Sequence, residues 1–248
     1  MNKISEITEG TSKLSFDYGI NQERREMKTF DLSFNPPKLK KKKFYSGDYE
    51  KEVKSNGDSI EWNYIYGGDG LTAIYRVVNG TGTLYNVAKD HLGSIMALYD
   101  NNGNTVEEYS YDAWGRRRDP GTWNLLPRGS DSTYLVSRGY TQHEHLGAFD
   151  LINMNGRLYD PIVGRMLSPD ILVQDPTSSQ GFNRYSYVLN NSLKYVDPSG
   201  YAWQYFRYVF GDGVRNLRSF GIWIKRSHLR IRGCPIHPML RQTLLSTS

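Results

Sequence analysis

The chain has a single cysteine, Cys234, which excludes an internal disulfide and any multi-cysteine zinc site. It has no run of about 18 apolar residues, and its N-terminus, MNKISEITEG, has no apolar stretch of the kind a secretory leader carries. Neither a spanning helix nor a signal peptide is therefore expected within it. Aliphatic side chains are scarce: the hydrophobic fraction is 38% and the mean hydropathy −0.62, low for a compact α/β enzyme of 248 residues. Acids are scarce at one end only. Residues 202–248 carry eight Lys/Arg against one Asp, whereas the preceding residues balance 23 basic against 25 acidic side chains. The basic character belongs to a tail, either as a solvated end or as a surface for nucleic acid or membrane.

Aromatic residues fill the gap left by aliphatic ones. Nineteen tyrosines, nine phenylalanines and five tryptophans offer large apolar area, each tyrosine with a polar handle that needs a partner, and 24 glycines point to strands and tight turns. Short aromatic alternations recur between turn signals: LSFDYGINQERR (14–25), KKFYSGDYEKEV (42–53), WNYIYGGDGLTAIYRVV (62–78) and the long stretch 83–118. Each reads as a hairpin. In the clearest, Ile95–Tyr99 and Thr105–Tyr109 flank Asp100-Asn-Asn-Gly-Asn104, whose Asn and Gly tolerate positive φ. Val106, Tyr109 and Tyr111 are expected on a strand with one buried face. Residues 28–44, KTFDLSFNPPKLKKKKF, break the pattern: Pro36-Pro37 removes two donors and Lys40–Lys43 repel one another, so an exposed edge or loop is expected.

Tyr-Asp followed by Gly has a local mechanism, in which Asp accepts backbone N–H groups at the turn, Gly reverses the chain and the rings pack on the next hairpin. The segments YSYDAWGR (109–116), KDHLGSIMALYDNNGN (89–104), NGRLYDPIVGRMLSPD (155–170) and NRYSYVLNNSLKYVDPSGY (183–201) together resemble the Rhs, or YD-repeat, proteins and their repeat-associated core domain. The resemblance runs from about residue 5 to 201. It implies a mainly β fold in which consecutive antiparallel hairpins form part of a β-shell, a cocoon around a C-terminal toxin, with a short irregular or helical tail. It further implies hairpins over 1–118, a linker loop over 119–133, a repeat-associated core over 134–201 and a variable, truncated basic tip over 202–248. The chain then represents the last turns of a longer array, with the upstream shell as its first partner, an immunity protein as a second, and nucleic acid or membrane as contacts of the tip. No cofactor is expected. A secreted or cell-surface location follows if the chain is part of an exported protein.

The same resemblance implies chemistry. In many family members the core cuts itself as an intramolecular aspartyl protease, and the matching positions are Asp170, Asp197 and Arg157, with Gly200 and the scissile bond Tyr201–Ala202. Two carboxylates held close raise one pKa, so that one serves as acid while the other activates water. An arginine beside them holds a carboxylate ionised or orients a carbonyl. From the residues alone, Asp-Pro and Asp-Pro-x-Gly are ordinary turn formers, and a non-catalytic scaffold for surface interaction or adhesion is the competing reading. Two positions depart from the family pattern: Ile171 stands where proline is usual and Tyr201 where leucine is commonest, with Asp175-Pro176 a displaced candidate. His143 and His145 offer two imidazoles with no third ligand and read as satisfied or surface histidines. Asp90, His91 and Ser94 read as turn scaffolding rather than a hydrolase set. Arg116–Arg118 beside Trp114 read as a solvated turn. The tail is short for a folded enzyme, with His228, Cys234 and His237 scattered.

Overall fold

Ten strands follow one another in sequence order, each antiparallel to the last. They are β1 (Glu6–Glu9), β2 (Ser12–Tyr18), β3 (Arg24–Asp31), β4 (Lys38–Ser46), β5 (Tyr49–Lys54), β6 (Ser59–Gly67), β7 (Gly70–Val78), β8 (Thr81–Lys89), β9 (Ile95–Tyr99) and β10 (Thr105–Glu108). The computed structural model describes residues 3–171, 173 and 179–205. Beyond the large sheet come a two-stranded ribbon of β11 (Ser110–Tyr111) and β12 (Arg117–Arg118), then a small sheet of β13 (Glu144–Leu146), β14 (Leu151–Asn153), β15 (Leu158–Asp160) and β16 (Arg165–Met166). Last is the pair β17 (Tyr195–Val196) and β18 (Gln204–Tyr205). Among the described residues there is no α-helix, only single 3-10 turns.

The expected hairpins form, with Ile95–Tyr99 paired to Thr105–Glu108 through the Asp100–Asn104 turn. Segment 28–44 corrects the sequence reading. It is neither edge nor loop: β3 and β4 lie within the sheet, and only residues 32–37, with Pro36-Pro37, form the turn between them. The lysine run is tolerated because three of its four side chains meet acids on neighbouring strands. Lys40 pairs with Asp31 at 2.9 Å, Lys41 with Glu52 at 2.9 Å, and Lys43 turns inward to Glu50 at 2.7 Å. Val106 is also a correction: it is exposed, whereas Tyr109 and Tyr111, after the break between β10 and β11, are buried.

One continuous core joins the sheet to the later segments, from Trp62, Leu71, Ile74 and Leu98 to Val136, Ile152, Tyr159 and Val196. Tyrosines carry much of it. Rings of Tyr111 and Tyr140 lie 5.9 Å apart, Tyr140 and Tyr187 6.3 Å, Tyr187 and Tyr159 4.6 Å. Such pairs contribute about 0.5–1.5 kcal/mol each beyond their burial. The hydroxyls of Tyr111, Tyr140 and Tyr159 donate to the carbonyls of Ile95, Ser192 and Trp114 at 3.0, 3.1 and 2.9 Å. Arg117, expected in a solvated turn, is instead buried among Tyr109, Tyr111 and Tyr134, with its guanidinium 4.1 Å from the Tyr134 ring centre.

A buried ionic cluster also ties the small sheet to the large one. Glu144 on β13 accepts from Lys43 Nζ at 2.6 Å and pairs with Arg24 at 2.5 Å, while Glu50 takes Lys43 at 2.7 Å and Arg138 at 2.7 Å. Burial alone would push the Glu144 carboxyl up, but Arg24 and Lys43 hold it far below the usual carboxylate range. Three cations thus share two carboxylates, an arrangement in which removing one carboxylate strands charge inside the protein.

Candidate active site

The site grows out of a turn that the fold uses repeatedly. Asp90 Oδ1 accepts the N–H of Leu92 at 2.9 Å and of Ser94 at 2.7 Å. Asp100 does the same with Asn102 and Asn104, both at 2.8 Å, and Asp112 with Trp114 at 2.8 Å and Arg116 at 2.9 Å. In each turn the third residue after Asp is a glycine with positive φ. Asp197-Pro-Ser-Gly-Tyr201 follows that scheme, with Gly200 at φ 75° and the Tyr201 N–H 3.1 Å from Asp197 Oδ1. It departs at two points. Ser199 contributes its hydroxyl at 3.3 Å, and the Ala202 N–H also reaches Asp197 Oδ1, at 2.9 Å. This carboxylate therefore holds both amides that flank Tyr201.

Arg157 gathers the rest. It follows the β14–β15 turn and is buried; its Nη2 lies 3.0 Å from Asp170 Oδ2 and 3.2 Å from Asp197 Oδ2, so one nitrogen bridges the two carboxylates. Its Nε donates to the Gly200 carbonyl and its Nη1 to the Arg184 carbonyl at 3.2 Å. Asp170 is fixed in turn by its own backbone: its N–H donates to the Arg184 carbonyl at 2.8 Å, and Arg184 Nε donates to the Asp170 carbonyl. The Asp197 turn is held from below by Gly156 N–H to the Ser199 carbonyl at 2.9 Å and by Asn155 Nδ2 to the Pro198 carbonyl at 3.0 Å. Gly200 sits so close to this floor that a Cβ there would lie 2.0 Å from the Met154 carbonyl oxygen.

His143 Nε2 is 3.0 Å from the Asp197 carbonyl. A carbonyl only accepts, so that nitrogen carries the proton. Burial holds the imidazole neutral, lowering its pKa to about 4. Burial also raises the Asp197 carboxyl above its ordinary value; nearby Asp170 adds to this, while the Ala202 N–H and Arg157 oppose it. Beside the carboxylates a cavity of about 30 Å³ is lined by Arg157, Asp170, Arg184, Val188, Asp197 and Trp203. That is room for a water molecule, which needs ~10–15 Å³ and polar partners.

The fold thus brings together Arg157, Asp170, Asp197, Gly200, Tyr201 and Ala202, which span 45 positions of the chain from Arg157 to Ala202. Asp175-Pro176 and residues 206–248 lie outside the described residues. His145 Nε2 accepts the Tyr140 N–H at 3.2 Å, and Ser94 Oγ accepts the Thr141 N–H at 3.1 Å, so both are engaged in holding the backbone. Sequence reasoning missed Ser199, Arg184 and Trp203 at the site and the carbonyl contact of His143. Only Ser199, inside the Asp-Pro-Ser-Gly turn, carried a local signal.

The Teneurin YD-shell family model matches residues 49–193. The tRNA(Glu)-specific nuclease WapA of Bacillus subtilis subsp. natto is 33% identical, over 90% of this chain and 10% of its own length. The tRNA nuclease WapA of Bacillus subtilis is 32% identical, over 81% of this chain and 10% of its own. The crystal structure of TcdB2-TccC3 superposes with a TM-score of 0.61 at 19% identity, covering 76% of this chain and 9% of that one, which is a likeness of fold. The chain spans about a tenth of the length of these relatives.

Proposed function

Because the chain belongs to the Teneurin YD-shell family of YD-repeat, or Rhs, proteins, we propose that it is the end of a β-shell that cuts its own Tyr201–Ala202 bond to free the segment beyond. One observation carries the reading: Asp197 Oδ1 lies 2.9 Å from the Ala202 nitrogen, the leaving atom of that bond. Asp197, whose carboxyl is raised by burial, is the acid, and Asp170 is the base. Water in the adjoining cavity loses a proton to Asp170 as its oxygen adds to the Tyr201 carbonyl carbon. In the tetrahedral adduct the Ala202 nitrogen is pyramidal, its freed lone pair takes the proton of Asp197, and the C–N bond breaks as the carbonyl re-forms. One water is consumed; a carboxyl is left on Tyr201 and an amine on Ala202. Arg157 positions both carboxylates and, through the Gly200 carbonyl, the strand entering the bond.

Mass spectrometry of the full chain tests this. A fragment ending at Tyr201 is expected from the wild type and absent from Asp197→Asn and from Asp170→Asn. Intact chain alone, in wild-type protein carrying its upstream shell, overturns the proposal and leaves a repeat scaffold. The relatives' names, tRNA nucleases, together with the eight basic residues beyond position 201, support a nucleic-acid target for the freed segment. Retention of the full chain on RNA that weakens steeply with salt is expected; no retention at low salt removes this part. Export of the shell and neutralisation of the freed segment by an immunity protein belong to the same proposal.

A further inference from the structure

Glycine stands at position 156 for a reason other than backbone conformation. In the turn between β14 and β15 the left-handed residue is Asn155, with φ 64°, while the φ of Gly156 lies outside that region. What calls for glycine is the space above it. A Cβ built on Gly156 would lie 2.3 and 2.6 Å from Cε2 and Cζ of the Tyr201 ring, far inside the ~3.5–4.0 Å of ordinary carbon contact. The ring beside the proposed scissile bond therefore rests against a bare Cα.

The same residue also holds the ring by its backbone. The Gly156 carbonyl accepts the Tyr201 hydroxyl at 2.8 Å, and the Gly156 N–H donates to the Ser199 carbonyl at 2.9 Å. The Arg157 guanidinium stands 6.0 Å from the ring centre. At its other end Tyr201 is fixed by its own N–H, 3.1 Å from Asp197 Oδ1. Tyrosine meets all of these demands. Phenylalanine fills the slot but leaves the Gly156 carbonyl without its donor. Leucine ends at about the depth of the ring's Cδ atoms and falls short of that carbonyl.

We propose that Gly156 is a specificity-determining residue for the cut. By lacking a Cβ and presenting its carbonyl, it selects tyrosine as the residue before the scissile bond and holds the Tyr201 carbonyl in register with the carboxylate pair. This role presupposes the self-cutting proposed above. It couples two positions that lie 45 residues apart, so a change at 201 calls for a matching change at 156.

The test is a cycle of cutting rates in the full chain carrying its upstream shell, made by cell-free translation and followed by intact-mass spectrometry. Gly156→Ala also crowds the Ser199 carbonyl, at 2.7 Å from the added Cβ, and that cost is common to every chain that carries it. The ring contact is not. Gly156→Ala is therefore expected to slow the chain with Tyr201 at least tenfold more than the chain with Tyr201→Leu, whose shorter side chain clears the added methyl. Tyr201→Phe, with glycine kept at 156, is expected to slow cutting about two- to tenfold through the lost hydroxyl bond. A Gly156→Ala effect equal in the two chains, including a complete halt of both, overturns the selection, as does a Tyr201→Phe rate equal to wild type. No fragment from wild type overturns the cutting itself and the selection with it, so the two failures are told apart by the wild-type chain.

Discussion

Two glycines in the same type of turn separate backbone strain from close packing. Gly103 and Gly200 have nearly the same φ, 82° and 75°, and each stands three residues after its aspartate. A Cβ at Gly103 meets nothing within 4 Å, whereas at Gly200 it lies 2.0 Å from the Met154 carbonyl and 2.8 Å from the Gly156 nitrogen, both backbone. Gly103→Ala therefore costs only the left-handed penalty, about 1–2 kcal/mol. Gly200→Ala pays that penalty and must also lift the turn off its floor. Lifting it breaks the Gly156–Ser199 bond, about 1 kcal/mol net, and the charged donation of Arg157 to the Gly200 carbonyl, about 1.5–3 kcal/mol. The whole cost is about 4 kcal/mol or more, which at ~2–4 °C per kcal/mol for a chain of this size lowers the melting temperature by about 10 °C. Circular dichroism melts of the two variants beside wild type read this directly. If Gly200→Ala melts within 2 °C of Gly103→Ala, the close approach of the turn to Met154 is wrong, and with it the placement of the Tyr201–Ala202 bond over Asp197.

Glu144→Gln leaves Lys43 and Arg24 facing each other without their shared carboxylate and is expected to destabilise by about 3–5 kcal/mol in urea titration; a loss below 1 kcal/mol refutes the clamp. His143, lowered to about 4 in the folded protein against 6.5 ordinarily, contributes stability that is complete above pH 6.5 and lost as pH falls toward 4. The wild type should then lose about 1.4 kcal/mol per pH unit more than His143→Gln across that window, and parallel curves would show that the imidazole is not held neutral. Asp197, shifted upward, has the opposite sign: its protonated form gains as pH falls, so formation of the fragment ending at Tyr201 should quicken from pH 8 toward 5. A rate that falls monotonically over that range argues against Asp197 as the acid.

The alternation of aromatic and polar residues between Asp-Gly turns determined the hairpin order, because strand period and turn chemistry are local properties of the chain. It misplaced segment 28–44 for a reason equally physical. Four consecutive lysines repel one another in a linear reading, yet Asp31, Glu50 and Glu52 neutralise three of them across strands whose register no local pattern specifies. Arg117 was misjudged likewise, since its tyrosine cage draws on Tyr134, far along the chain.

At the site, the sequence determined that Asp197 begins a glycine turn, and likeness to a family picked out Asp170, Arg157 and the Tyr201–Ala202 bond. It did not distinguish this turn from those at Asp90, Asp100 and Asp112, whose spacing is the same. Only the tertiary structure separated them, by burying one carboxylate against a second and an arginine and by turning the Ala202 amide toward it. Turn geometry depends on the five residues of the turn. The electrostatic state of its aspartate depends on what the rest of the chain packs around it.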